Sequence, residues 1–224
     1  MCDQHDHGRH TVTGDDEFLL DTPVIRGFIA RVRESIAVGA TPHEACALIE
    51  PTFAGLLADQ TWLPDEFAVA NPKSGMGGGI GQWLLFRAGD GSLSLFSLVV
   101  PPGEQTPIHD HLAWGLIGLY RGEQEEDVFA ADEHGIALDR TQRVIPGGLY
   151  SLFPPRDDVH RVRTVSDEPS ISIHLLTNDT GCVVRHTWDL GTGRIKAFRS
   201  GYANAVCDED GPVAAEPAVS ATNR

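Results

Sequence analysis

Two periods divide the chain. Between Phe18 and about Phe67, apolar residues recur at three-to-four spacing. Val24, Ile25, Phe28, Ile29, Val32 and Ile36 would share one face of an amphipathic helix. Pro23 suits its first turn and Gly39 its end. A second helix is expected from Thr41, an N-cap followed by Pro42, with Pro51 interrupting or restarting it. After Asn71 the period shortens to two. "IGQWLLFRA" and "SLSLFSLVV" read as strands joined at Gly89-Asp90-Gly91, a hairpin signal. Similar runs follow, among them "WGLIGLYRG", "EEDVFAA", "VHRVRTV", "SISIHLLT" and "CVVRHTWDL", nearly all separated by turn residues. Many short strands at this spacing mean a sandwich or closed barrel. The pattern therefore predicts a mainly β protein. A disordered, His-rich tail (1–16) and a helical segment (17–70) precede a barrel (71–206), and a flexible tail follows (207–224).

Composition narrows what such a barrel could bind. The 224 residues carry 17 basic and 32 acidic side chains, a formal net charge of −15. That field opposes nucleic acid and anionic membrane. The sequence has no apolar run long enough to cross a bilayer, and its start lacks the apolar centre of a secretion signal. Cys2, Cys46, Cys182 and Cys207 show no framework or CxxC spacing, so they are expected to be reduced, in a cytoplasmic protein that is a monomer or small homo-oligomer. The glycine-rich "KSGMGGG" precedes a strand rather than a helix and reads as a turn.

Two His-x-His pairs stand out, His5/His7 and His109/His111. The first lies in the expected tail, where fixing it would cost entropy. In the second, strand alternation points His109 and His111 the same way and Asp110 the other. Gly103, five residues and then His109-x-His111 resembles the first half of the cupin motif. The second half, Gly-x5-Pro-x-Gly-x2-His, has a counterpart at Gly148, Pro154 and His160, with Arg156 where the glycine is expected and the histidine one residue late. The fold implied is a cupin double-stranded β-helix, a jelly-roll barrel with N-terminal α-helices. Cupins commonly add a glutamate a few residues beyond His-x-His. Here Trp114, Gly115 and Leu116 occupy those places, which leaves an all-imidazole set of His109, His111 and His160. Imidazole suits several transition metals and does not select one.

Four strings, "TPIHDHLAWGLIGLYRGE", "DVHRV", "SIHLL" and "RSGYANA", carry a further resemblance, over about residues 15–206, to the thiol dioxygenases: cysteine dioxygenase and, more closely, bacterial 3-mercaptopropionate dioxygenase. The resemblance implies non-haem Fe(II) on His109, His111 and His160. It also implies oxidation of a small-molecule thiol by O₂ to a sulfinate, with both oxygen atoms in the product. The family's Ser-x-His-x-Tyr string reads Ser172, His174 and Leu176, so serine and histidine are kept and the phenol is lost. Ser172 would orient His174, and Leu176 would offer an apolar wall to the substrate. Arg185, eleven residues after His174, stands where the mercaptopropionate subgroup grips the substrate carboxylate, and Trp114 also follows that subgroup as a substrate-binding residue. The expected substrates are 3-mercaptopropionate, a cysteine-like thiol or the bulkier ergothioneine. The alternatives are a metal-dependent cupin of other chemistry, or one that holds a metal without turnover.

Overall fold

The computed structural model describes residues 14–207 apart from 74, 133 and 134; expectations for the His5/His7 pair and for most of both tails lie outside these residues. Helix α1 (Pro23–Val38) forms where the periodicity places it. The Thr22 hydroxyl accepts from the Ile25 amide at 3.3 Å, and Ile25, Phe28, Ile29 and Val32 are buried while Val24 is not. Helix α2 (Pro42–Ala58) is capped by Thr41, which accepts from the Glu44 amide at 3.2 Å. Pro51 was expected to break this helix and does not. It lies on the solvent face, as does Ala47 one turn earlier, so water can satisfy the carbonyl that loses its partner. Ile49, Phe53, Leu56 and Leu57 hold the opposite face in the core.

Among the described residues, twelve strands form two sheets. In chain order they are β1 (Glu17–Phe18), β2 (Gly81–Arg87), β3 (Ser94–Val100), β4 (Ile108–His109), β5 (Gly115–Arg121) and β6 (Gln124–Asp132). These are followed by β7 (Gly135–Val144), β8 (Leu149–Leu152), β9 (Val159–Thr164), β10 (Ser170–Leu176), β11 (Arg185–Asp189) and β12 (Arg194–Phe198). The first sheet runs β1-β2-β3-β10-β5-β8 and the second β12-β11-β4-β9-β6-β7. All pairings between these strands are antiparallel. This is the cupin β-sandwich the sequence predicts, with both helices packed on the outer face of the first sheet.

That arrangement explains why β3 and β10 are buried at every position instead of alternating. One face meets the helices through Leu95, Val99, Ile171, Ile173 and Leu175. The other looks into the sandwich, where Phe96, Leu98, Ile117, Leu152 and Leu176 form a second apolar cluster.

Both ends of the described chain are tied down further than expected. Asp16, assigned to the tail, forms an ion pair with Arg33 at 2.6 Å and accepts from the Gly89 amide at 3.2 Å. Arg87 grips the chain from both sides, donating to Glu17 at 2.9 Å and to the Val206 carbonyl at 3.1 Å. The segment after β12 lies as a strap across the sheet edge. Its last described residue, Cys207, is joined to Cys182 by a disulfide. This overturns the expectation of four reduced cysteines and with it the argument drawn from them for a cytoplasmic location. The β11–β12 hairpin returns the chain to where it started, so cysteines 25 residues apart meet without any local spacing to announce them. No described helix is long and apolar enough to cross a membrane.

Candidate metal centre

Antiparallel register brings the three histidines together. His109 on β4 pairs directly with His160 on β9, which puts their side chains on one face of the second sheet. His111 follows two residues after His109 and lies just past the strand end. The three rings approach to centroid distances of 4.9, 4.8 and 4.8 Å, all three residues are buried, and their candidate ligand atoms lie within 4.8 Å of one another.

Each ring is held from behind by a different acceptor. His109 Nδ1 lies 2.9 Å from the Pro107 carbonyl, His111 Nδ1 3.2 Å from an Asp158 oxygen, and His160 Nδ1 2.6 Å from Glu126 Oε1. A carbonyl or carboxylate can only accept, so each Nδ1 carries the proton and each Nε2 keeps its lone pair free. Burial, together with the neighbouring imidazoles and the Arg185 guanidinium, holds His109 and His111 well below the ordinary histidine range. Three imidazoles oriented through their Nδ1 atoms, with Nε2 left for a ligand, fit a borderline divalent cation. As the alternation predicts, Asp110 turns away, accepting from the His186 amide and Nδ1, both at 2.7 Å.

A left-handed residue marks each motif half, Leu112 just after His111 and Asp157 three residues before His160. Asp158 accepts from the His111 amide at 2.9 Å and the Leu112 amide at 3.1 Å, one per carboxylate oxygen. Those bonds hold Leu112 at φ 55°, a left-handed conformation uncommon for a side chain of its size, and turn the chain as it leaves His111. In the second half, Asp157 takes the left-handed position at φ 57°. Counted back from His160, Asp157 occupies the place of the motif glycine, in the frame Pro155-x-Asp157-x-x-His160. The missing glycine and the late histidine are thus one change: an extra residue enters before Pro155, and an aspartate, which tolerates this conformation, replaces the glycine.

Ser172, His174 and Leu176 point into the sandwich as alternation requires. Ser172 Oγ lies 2.9 Å from His174 Nε2. The His174 ring stacks on Phe96 at 4.6 Å and 19° and stands 6.3 Å from the His111 ring. Its Nδ1 is buried without a partner, and burial keeps it neutral. Leu176 is fully buried in the inner apolar cluster. Trp114 departs from expectation. It packs with the cluster beneath the helices and shares a small cavity with Val32, Ile36 and Cys46, so its ring belongs to the helix interface and not to the histidine site.

Arg185, at the start of β11, is 1 % exposed. Its Nη1 donates to the Asp110 carbonyl at 2.5 Å and its Nη2 to Ser200 Oγ at 2.7 Å. The guanidinium lies 5.1 Å over the Phe198 ring, and its Nε has no partner. No described carboxylate is ion-paired with it. Asp110 and Asp158 act on its charge from nearby, but their oxygens are engaged by His186 and by His111 and Leu112.

Glu126 and Asp158 were missed by reading the sequence. Glu126 had a signal. It falls in the same strand phase as Val128, which pairs with His160, so it places a carboxylate at an inward position of "EEDVFAA". It also accepts from Gln142 at 2.5 Å. Burial would raise its carboxyl, but the hydrogen bonds from His160 and Gln142 outweigh it and keep the group below the usual range. Asp158 had none, because it serves backbone amides 46 and 47 residues away.

No protein-family model matches the chain. Solved structures similar to it include an oxalate oxidase (16 % identity over 55 % of this chain and 61 % of that one, TM-score 0.41). A cupin-2 domain from Rhodospirillum rubrum matches at 17 % identity over 44 % of this chain and 59 % of its own, TM-score 0.35. A cupin 2 domain-containing protein from Halorhodospira halophila matches at 17 % identity over 45 % and 61 %, TM-score 0.34. The chain thus spans about three fifths of the length of each of these structures.

Proposed function

We propose that this protein is a metal-dependent thiol dioxygenase acting on a small thiol that carries a carboxylate. The observation that carries the reading is the Arg185 guanidinium, buried beside the three histidines without a carboxylate partner and with its Nε unpaired. A buried charge is normally paired, and a planar guanidinium takes a carboxylate through two parallel hydrogen bonds. A substrate carboxylate would supply that missing partner. The thiol end rests on the likeness of the "TPIHDH", "DVHRV" and "SIHLL" strings to the thiol dioxygenases.

His109, His111 and His160 would hold Fe(II) through Nε2, and bound iron would supply the capacity to take sulfur as thiolate and to activate O₂. Arg185 then restricts where the other end of the substrate can lie, which limits the approach of the sulfur. Phe96 fixes the plane of His174, and Ser172 fixes its Nε2. The unpaired Nδ1 of His174 is left as a polar contact in an otherwise apolar wall formed by Leu176 and Ile117. Such a wall would suit an aliphatic chain or an aromatic ring, which keeps 3-mercaptopropionate, a cysteine-like thiol and ergothioneine as the expected substrates.

Leu176, standing where the family has a phenol, favours a second reading: a metal-dependent cupin of other chemistry on a carboxylate. Oxygen uptake by the Fe(II)-loaded chain with cysteine, 3-mercaptopropionate and ergothioneine, with sulfinate identified by mass, separates the two. Uptake with a thiol and two added oxygen atoms supports the dioxygenase. Turnover restricted to thiol-free carboxylates would replace it with the second reading, and no turnover would leave a metal-holding protein.

A further inference from the structure

The strap that follows β12, residues 199–207, brings Ser200 to Arg185. It is fixed along its length. The Gly201 amide donates to the Gly181 carbonyl at 2.8 Å, and the Ala203 amide to the Gln82 carbonyl at 2.8 Å. The Asn204 carboxamide bonds both backbone groups of Leu84 at 2.9 Å. The Tyr202 hydroxyl accepts from the Gly181 amide at 3.0 Å and donates to Asp179 at 2.9 Å. Its ring lies so close to Gly181 that a Cβ there would fall 2.4 Å from it. The Cys182–Cys207 bond closes this arrangement over the stretch that contains Arg185.

A guanidinium turns about its own stem unless both ends are held. Here the Asp110 carbonyl holds Nη1 and Ser200 holds Nη2, and these are the hydrogen bonds Arg185 makes. One comes from the histidine motif and the other from the strap, so the orientation of Arg185 depends on where the strap lies. We propose that Ser200 is a positioning residue for carboxylate recognition by Arg185, and that the Cys182–Cys207 disulfide keeps it there, making affinity for the carboxylate sensitive to the redox state of that bond. This rests on Arg185 being the carboxylate site.

Reduction by a dithiol would transfer two electrons and two protons to the bond, giving two cysteine thiols and the cyclic disulfide of the reductant. Cys182 is buried, but Cys207 is partly exposed and offers a point of attack. With the bond open the strap would be held by hydrogen bonds alone, those of Gly201, Tyr202, Ala203 and Asn204, which keep the fold but fix the strap, and Ser200 with it, less tightly.

The test is calorimetric binding of 3-(methylthio)propionate, a carboxylate without a thiol, to the full chain, with melting curves to establish folding. Compared with the oxidised wild type, Ser200→Ala should raise Kd roughly tenfold, the effect of losing one charge-assisted hydrogen bond. Ser200→Thr should restore it, and Cys207→Ser or dithiol treatment of the wild type should raise it severalfold. In thiol turnover the same changes should appear in KM, with kcat within about twofold. An unchanged Kd in folded Ser200→Ala would overturn the positioning role, and an unchanged Kd in Cys207→Ser the redox control. A wild type that binds the carboxylate but oxidises no thiol would remove the proposed activity and leave this inference to be judged on Kd. A wild type that binds no carboxylate would remove both Arg185 roles.

Discussion

The carbonyl oxygen of Asp110 lies 2.5 Å from Arg185 Nη1, so the residue between two of the three clustered histidines also anchors the buried guanidinium. The proposed cation and anion sites are thus joined through one peptide unit. Arg185→Lys keeps the charge but has one nitrogen to divide among Asp110, Ser200 and a ligand. It should raise KM for a carboxylate thiol by roughly 10- to 100-fold, one to two charge-assisted hydrogen bonds, while metal content stays the same. Steady-state kinetics with parallel metal assay checks this; an unchanged KM would remove Arg185 from the site.

Glu126 is predicted to act on metal affinity through His160. Glu126→Gln keeps the shape and an acceptor oxygen but removes the charge behind the ring. Losing such a carboxylate should weaken metal binding by about 10- to 100-fold. Competition between Co(II)-loaded protein and a chelator measures the effect, with wild type and His160→Ala as the two limits.

The metal-free chain should lose stability as the pH falls from 7.5 to 5.5. His109, His111 and His174 are held neutral in the fold chiefly by burial, whereas the unfolded chain takes up protons near pH 6.5. Their folded pKa values are depressed, so the stability is fully present above the unfolded value and is lost as the pH drops below it. His186 opposes this. Its hydrogen bond to Asp110 raises its pKa, so its contribution is present below pH 6.5 and is lost as the pH rises through the raised value. Asp158, whose carboxyl is raised by burial, acts in the same direction as His186. The three buried imidazoles outnumber these two, so the urea midpoint should fall on acidification. Saturating Zn(II) at each pH should raise it.

Asp157 should tolerate glycine and resist a β-branched residue. At φ 57° a glycine is unstrained, and the Arg140 ion pair it would lose is exposed on both sides and worth little. Asp157→Val should cost about 1–3 kcal/mol, the usual cost of forcing such a side chain into this region. The losses in unfolding free energy measured by denaturant titration of the two variants should therefore fall on opposite sides of about 1 kcal/mol.

The fold was legible because both periodicities are strong. The 24–36 stripe gave α1 and the short β runs gave the sandwich. His109, His111 and His160 were legible because motif spacing carries register, and Ser172 and His174 because alternation carries facing. What stayed hidden depends on distant approach. Asp158 reaches amides across the sandwich, Cys207 meets Cys182 only after a hairpin returns, and Ser200 touches Arg185 from a strap whose string "RSGYANA" has no periodicity to say where it lies. Trp114 misled for a related reason. Its position relative to His111 suggested the site, but beyond the left-handed Leu112 the chain no longer keeps the strand's facing, and the ring ends beneath α1.

Arg87 holds the opening strand through Glu17 and the closing strap through Val206. Glu17 and Val206 are therefore neighbours in space although they are nearly two hundred positions apart in the chain. Such a topology admits circular permutation. A short linker could join these two points, and new termini could be opened at the exposed β11–β12 turn, leaving Arg185 and Ser200 on separate segments tied by the β11–β12 ladder, their own hydrogen bond and the sulfur bridge.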